Sequence, residues 1–208
     1  MTTDGAGETK RPYELGKRLE QMDQSRAAIL RAAREQLEAK GYHQWTMASL
    51  AAQSRVTRQT IHNLFGTKSA VLEALFDVIA LDGGMESMRE VMTLPSPAVM
   101  LQGYVEVFCR FWASNRLLIR RIHGIGAIDP EFGSVIQERN SRRFRAAMRI
   151  VGKLGCREDA KERAAALTAL TSFEFFDALV ENLSDEKQAV PVVLEMTRKL
   201  FVDSIRSK

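Results

Sequence analysis

The segment TMASLAAQSRVTRQTIHNLF, Thr46 to Phe65, places Thr57, Arg58, Gln59, Thr60, His62 and Asn63 on one helix-length stretch. Side chains of these types read hydrogen-bonding edges: a guanidinium pairs with guanine, and a carboxamide pairs with adenine, in the major groove of a duplex. The apolar residues between them decide which way they face. Leu50 and Ala51, one bulky and one small, suit a short helix that crosses closely over a second. Val56, Ile61 and Leu64 return at offsets that bury one side of that second helix. Thr46 and Thr57 are the expected N-caps of the pair. Arg58, Gln59, His62 and Asn63 then project together from the opposite side as a base-reading surface. A merely solvated helix face is the competing reading.

Catalytic chemistry has no comparable constellation. Gly66–Ser69, GTKS, shares letters with a phosphate loop but lacks the spaced glycines and the preceding strand. His43, His62 and His123 do not cluster at metal-ligand spacing, and Cys109 has no evident base partner. The expectation is a non-enzyme without metal or cofactor.

The totals are those of an ordinary globular chain: 208 residues, 45% hydrophobic, 27% charged, net charge +4. The distribution is more informative. Residues 1–68 hold eleven Lys or Arg against seven Asp or Glu, an excess of four that equals the net charge of the whole chain. The basic surplus is therefore N-terminal, beside the polar helix. Cys109 and Cys156 lie far apart, with neither zinc spacing nor a disulfide framework, which suits a reducing cytoplasm. The N-terminus has no apolar run of a signal peptide, and no stretch approaches the ~20 apolar residues of a membrane helix.

Helical periodicity and caps run almost throughout, so the fold is expected to be all-α. Residues 1–22, polar and glycine-containing, read as a mobile N-terminal arm whose Lys10, Arg11, Lys17 and Arg18 could reach DNA. A three-helix, helix-turn-helix DNA-binding domain is expected over 23–82. Its first helix runs from about Ser25 to Lys40 with Ile29, Ala33 and Leu37 inward, and stops at Gly41. A larger helical regulatory and dimerisation domain follows over 83–208, after Gly83-Gly84 and the LPSP turn. Its helices are expected near 97–113, 115–127, 130–153, 158–183 and 188–206, with Pro191 in the first turn of the last or kinking it.

From Arg26 to Leu72 the succession Ile29-Leu30, Ala32-Ala33, Gly41-Tyr42, Thr46, Leu50-Ala51, Val56-Thr57, Phe65, Lys68, Leu72 resembles the N-terminal DNA-binding domain of the tetracycline-repressor (TetR) family of transcriptional regulators. The resemblance implies a ligand-responsive regulator, most often a repressor, binding a palindromic double-stranded DNA operator as a homodimer. It implies that Thr46 and Lys68 hold phosphates and that Thr57–Leu64 enters the major groove. Two positions depart from the family pattern. Arg55 stands where a left-handed glycine is usual, at a cost of ~1 kcal/mol that a phosphate contact could offset. His62 stands where the family often has a phosphate-contacting tyrosine.

The same resemblance implies a small-molecule effector in the body and pairing of two copies through the last two long helices. The residues are compatible with both. Ala165, Ala169, Phe173, Phe176 and Val180, then Val193, Met196, Leu200 and Ile205, form stripes that a four-helix dimer interface would bury, unless they serve the subunit's own core. Soft and aromatic side chains gather in the middle helices: Met85, Met88, Met92, Tyr104, Phe108, Phe111, Trp112, Phe144 and Met148. They suit a ligand cavity or plain core. His123 and Glu174 are polar groups in apolar surroundings that could orient a ligand. The arginine run Arg139–Arg149 reads as a solvated face, with an anionic-ligand role as its alternative. The rival functions are a helical protein-interaction module and a small-molecule-binding protein without DNA function.

Overall fold

The computed structural model describes the backbone of residues 10–40 and 45–201, and side chains from residue 16 to 39 and from residue 45 to 201. The Gly41 stop, His43, Ile205, the first nine residues of the expected arm, and the side chains of Lys10 and Arg11 lie outside the described residues. Among those described there are eleven α-helices and no strand. Two compact units divide at Leu75/Phe76, seven residues before the boundary expected from Gly83.

In the first unit, α1 spans Lys10–Lys40, so residues 10–22 of the expected arm are helical. Ser25, expected near the helix start, instead donates its hydroxyl to the carbonyl of Gln21 at 2.8 Å within the continuing helix. Ile29, Ala33 and Leu37 are wholly buried, as their spacing requires. Two short helices, α2 (Met47–Ser54) and α3 (Arg58–Phe65), pack on α1 and on each other. Helix α4 (Lys68–Asp82) begins in this unit with Val71, Leu72 and Leu75 buried.

The second unit starts within α4, at Phe76. A short α5 (Met88–Val91) packs on α6 (Pro97–Ser114); α7 (Arg116–Ile128) and α8 (Pro130–Lys153) follow. Both α6 and α8 start by one device, a capping side chain followed by proline. Ser96 precedes Pro97, and Asp129 accepts from the Phe132 N–H at 3.2 Å ahead of Pro130. Helices α7 and α8 approach so closely that a Cβ on Gly133 would lie 2.6 Å from the Gly126 carbonyl oxygen.

The helix expected over 158–183 is broken into α9 (Ala160–Leu170) and α10 (Phe173–Leu183). Ser172 ends the continuity by adopting an extended backbone and capping α10, its hydroxyl accepting from the Phe175 N–H at 3.1 Å. The carbonyl of Thr171 left at the break accepts from the Trp112 indole N–H at 3.0 Å. The last helix, α11 (Glu186–Leu200), carries Pro191 in its interior rather than its first turn, forgoing the hydrogen bond to the Lys187 carbonyl.

Half of the described residues of the expected dimer stripes belong to the subunit's own core. Phe173, Phe176, Val180 and Val193 are at most 4% exposed within the single chain, whereas Ala165, Ala169 and Met196 face outward. The 165–180 stripe assumes one continuous helix, whereas a new helix starts at Phe173 after the break at Thr171, with Phe173 and Phe176 buried.

Candidate nucleic-acid interface and ligand cavity

The two short helices of the first unit are held by their caps. Thr46 Oγ1 accepts from the Ser49 N–H at 3.0 Å, and the Thr46 N–H donates back to Ser49 Oγ at 3.0 Å. Thr57 Oγ1 accepts from the Thr60 N–H at 3.0 Å. Behind them Leu50 and Ile61 are 0% exposed, and Ala51 is buried. Val56 and Leu64, expected inside, are only half-buried. The turn between the helices places Arg55 at φ 57°, ψ 36°, the left-handed conformation that usually calls for glycine.

A buried carboxamide sets the register of α2 on α1. Gln36, 4% exposed, donates to the Ser49 carbonyl at 3.0 Å and to Gln53 Oε1 at 2.8 Å. It accepts from Ser49 Oγ at 2.8 Å, so its polar atoms are well supplied. Arg26 of α1 lies over the Phe65 ring, 4.6 Å from its centroid, and ties α3 to the same helix.

With Ile61 inward, Arg58, Gln59, His62 and Asn63 are all exposed on α3. Gln59 donates to Asn63 Oδ1 at 2.8 Å, which pairs the two carboxamides on the outer face. Beside them α1 and α3 enclose a groove of about 790 Å³, lined by Arg18, Met22 and Ser25 on one side and Thr57, Thr60 and Asn63 on the other. The ammonium of Lys68 sits 5.2 Å from the centroid of the Trp45 ring. Trp45 is fully buried and immediately precedes Thr46, so the lysine is held near the positive end of α2.

The second unit contains a cavity of about 210 Å³ between α4, α6, α7 and α8. Phe76, Phe108, Phe111 and Trp112 supply an aromatic wall; Phe111 and Trp112 lie 4.6 Å apart between centroids, and Phe76 meets Phe111 edge-on at 5.8 Å. Met85 and Met88 supply flexible thioethers. Tyr104, itself 0% exposed, donates its hydroxyl to the Arg143 carbonyl at 3.1 Å, and burial raises its phenol pKa. His123 Nδ1 and Glu174 Oε1 are 2.8 Å apart, and this hydrogen bond chiefly holds the Glu174 carboxyl down to about 2. Burial pushes the Cys109 thiol up to about 12, which removes the thiolate a nucleophile needs. Among the described residues no three His, Cys, Asp or Glu are grouped to hold a metal, and no helix is long and apolar enough to cross a membrane.

Residues 29–75 match the model of the bacterial regulatory proteins of the tetR family. The similarity in sequence to that family lies in these N-terminal residues. The fold as a whole is also that of solved TetR regulators. A TetR transcription regulator from Haloarcula marismortui aligns with a TM-score of 0.67 at 15% identity, covering 87% of this chain and 97% of its own. One described as putative, from Syntrophomonas wolfei, gives 0.70 at 18%, covering 86% and 96%. NalD of Pseudomonas aeruginosa, the secondary repressor of a multidrug efflux pump, gives 0.63 at 17%, covering 86% and 96%. At these identities the likeness is one of fold. No curated protein sequence matches.

Within the first unit, Thr46, Arg55, Thr57, Arg58, Gln59, His62 and Asn63 are exposed, Thr60 is half-buried, and Lys68 is half-buried against Trp45. Sequence reasoning missed Trp45 and Gln36, which support this face from behind. In the helical body, Met85, Met88, Tyr104, Phe108, Phe111, Trp112 and His123 line the cavity. Phe144, Met148 and Glu174 do not line it, and Glu174 is hydrogen-bonded to the lining residue His123. Three lining arginines come instead from the run read as solvated: Arg139, Arg142 and Arg143. Arg143 is 8% exposed, which corrects that reading at this position. The signal was its phase: Phe132, Arg143, Ala147, Ile150 and Leu154 share the buried side of α8 and its end.

Proposed function

We propose that the protein is a homodimeric, ligand-responsive transcriptional regulator that acts as a repressor on a palindromic operator. The observation that carries this reading is the outward face of α3, where Arg58, Gln59, His62 and Asn63 stand clear of the protein while Ile61 is fully buried beneath them. Arg58, Gln59 and Asn63 read bases in the major groove, and Thr46, Thr57, Lys68 and Arg55 hold phosphates at its edges. Arg18 on α1 adds a charge beside the same groove. A lone α3 covers too few base pairs for specific binding, so two copies present their recognition helices about one DNA turn apart, ~34–36 Å. The outward side of the last helices, including Met196 at 43% exposure, supplies the pairing surface.

The cavity of the second unit takes the effector. Helix α4 is one continuous element that carries Lys68 near its start and Phe76 and Ala80 in the cavity wall. An effector that prefers one arrangement of these residues shifts the population toward it, and only by the difference of its affinities for the two. The repressor role is in keeping with NalD, which shares the fold.

Selection of bound sequences from a random DNA pool by the full chain tests the reading. A palindromic winner, bound tightly and losing affinity steeply with added salt, is the expected result. Absence of binding to every pool at low salt overturns it.

A further inference from the structure

Arg143 is the one arginine of its run that is buried, and among the described residues no carboxylate lies within ion-pair distance of it. Arg139 pairs with Asp77 at 2.6 Å and lies over Phe76, 4.3 Å from the ring centroid. Arg142 and Arg145 share Glu138 at 3.3 and 3.0 Å. Arg143 makes no side-chain hydrogen bond or ion pair among the described residues, and its Nε is buried with no partner. The guanidinium lies 5.7 Å from the centroid of the Phe108 ring. Arginine does not give up its proton in proteins, so the charge stays. Buried charges are otherwise paired, because desolvation without compensation is costly. The partner that Arg143 lacks in the protein must come from the cavity it lines.

We propose that the cavity binds a small organic monoanion, an apolar and preferably aromatic body ending in a carboxylate, and that Arg143 is the residue that binds the carboxylate. Three observations set the class. Arg143, the one lining arginine with no carboxylate in contact among the described residues, calls for one negative charge: Arg139 and Arg142 already have carboxylates, and Glu174, hydrogen-bonded to His123, acts on Arg143 only from a distance. The rest of the wall is apolar, dominated by Phe108, Phe111 and Trp112, so the anion carries an apolar body. A cavity of about 210 Å³ is smaller than the ~300–1,000 Å³ of drug-sized sites, so that body is about one ring or a short chain. Tyr104, with its hydroxyl given to the Arg143 carbonyl, fixes the stretch of α8 from which the guanidinium reaches inward.

The inference rests on reading the cavity as the effector site and is independent of whether the protein binds DNA. Calorimetric titration of the full chain, without DNA, tests it with phenylacetate, 3-phenylpropionate and hexanoate, each against its neutral amide, and with chloride and phosphate alone. At least one acid is expected to bind tenfold or more tightly than its amide. Arg143→Met is expected to bring that acid down to the level of the amide, and Arg143→Lys to keep part of the preference. Ligand-free Arg143→Met is expected to melt no lower than the parent, because an unpaired buried charge has been removed, and to lose the rise in melting temperature that the acid gives the parent. Acid and amide that bind alike in every pair, or that both fail to bind, overturn the proposal. So does protection by an inorganic anion only, or an acid preference that survives Arg143→Met. If Arg143→Met does not fold, the comparison of acid with amide on the parent still decides. Loss of the DNA-binding reading would leave these titrations unchanged, and their failure would leave that reading intact.

Discussion

Gln59 and Asn63, one turn apart on α3, are joined side chain to side chain at 2.8 Å on the exposed face of that helix. The bond orients both carboxamides before any partner arrives, and it leaves the Asn63 amide and the Gln59 carbonyl pointing to solvent. An exposed pair of this kind stabilises a helix by only ~0.2–0.5 kcal/mol. Its worth is therefore expected in recognition. Gln59→Ala and Asn63→Ala should leave the melting temperature nearly unchanged and should flatten discrimination at one or two base pairs, by ~1–3 kcal/mol each. Affinity for the selected operator and its single-base variants measures this. Equal losses on every sequence would remove both residues from base reading.

Lys68 is expected to behave differently. Its ammonium lies over Trp45, next to the start of α2, and its proposed role is to hold a phosphate rather than to read a base. Lys68→Ala should weaken binding to all sequences about equally and reduce the slope of log affinity against log salt by about 1. Arg58→Ala, by contrast, should relax sequence choice. The two variants, titrated on the same operator series at several salt concentrations, separate the roles; the same specificity loss from both contradicts them.

Arg55 holds a left-handed backbone at φ 57° without being glycine. Arg55→Gly should stabilise the protein by about 1 kcal/mol, visible as a rise of a few degrees in thermal unfolding. The same variant should bind DNA more weakly if the guanidinium takes a phosphate, as proposed above. A variant that melts lower shows that the arginine side chain holds the turn in the free protein.

Asp177 joins α10 to α7. It accepts from Arg116 Nε at 2.6 Å and from both Nε and Nη2 of Arg120 at 2.8 Å, with its side chain 15% exposed. Burial raises its pKa, but the Arg120 and Arg116 hydrogen bonds outweigh that and leave it lowered. A carboxyl depressed in the folded state contributes fully above its unfolded value, ~3.9, and the contribution is lost as pH falls through the folded value. Asp177→Asn should cost about 1–3 kcal/mol at neutral pH, and the gap from the parent should close as the pH is taken below 4. Denaturant unfolding at several pH values reads this; a gap independent of pH would assign the loss to packing.

The recognition helix was legible because its constraints are local. Caps at Thr46 and Thr57, a buried Leu50, Ala51 and Ile61, and a polar remainder determine one another within twenty residues. Where a residue has two local uses, the sequence misled. Ser25 can cap a helix or bond back within one, and the structure shows the second, so α1 begins fifteen residues earlier at Lys10. Thr171-Ser172 has no glycine or proline to announce a break, and the break is made by Ser172 as a cap and by Trp112 from a helix distant in sequence. Arg143 was hidden by composition: four neighbouring arginines suggest water, while its place on the buried side of α8 dictates the opposite. Polar residues in an apolar phase should be read by phase first.

The hydrogen bond from the Trp112 indole to the Thr171 carbonyl has a further consequence for what the cavity tolerates. Trp112 cannot swing aside without stranding a carbonyl that is 1% exposed in its residue, whereas Met85 and Met88 yield by rotamer changes alone. Substituents added to a bound molecule on the thioether side should therefore be accepted with little loss, and the same substituents pressed on the indole should abolish binding. Selectivity in this pocket is expected to be directional, stringent along one axis and permissive along another.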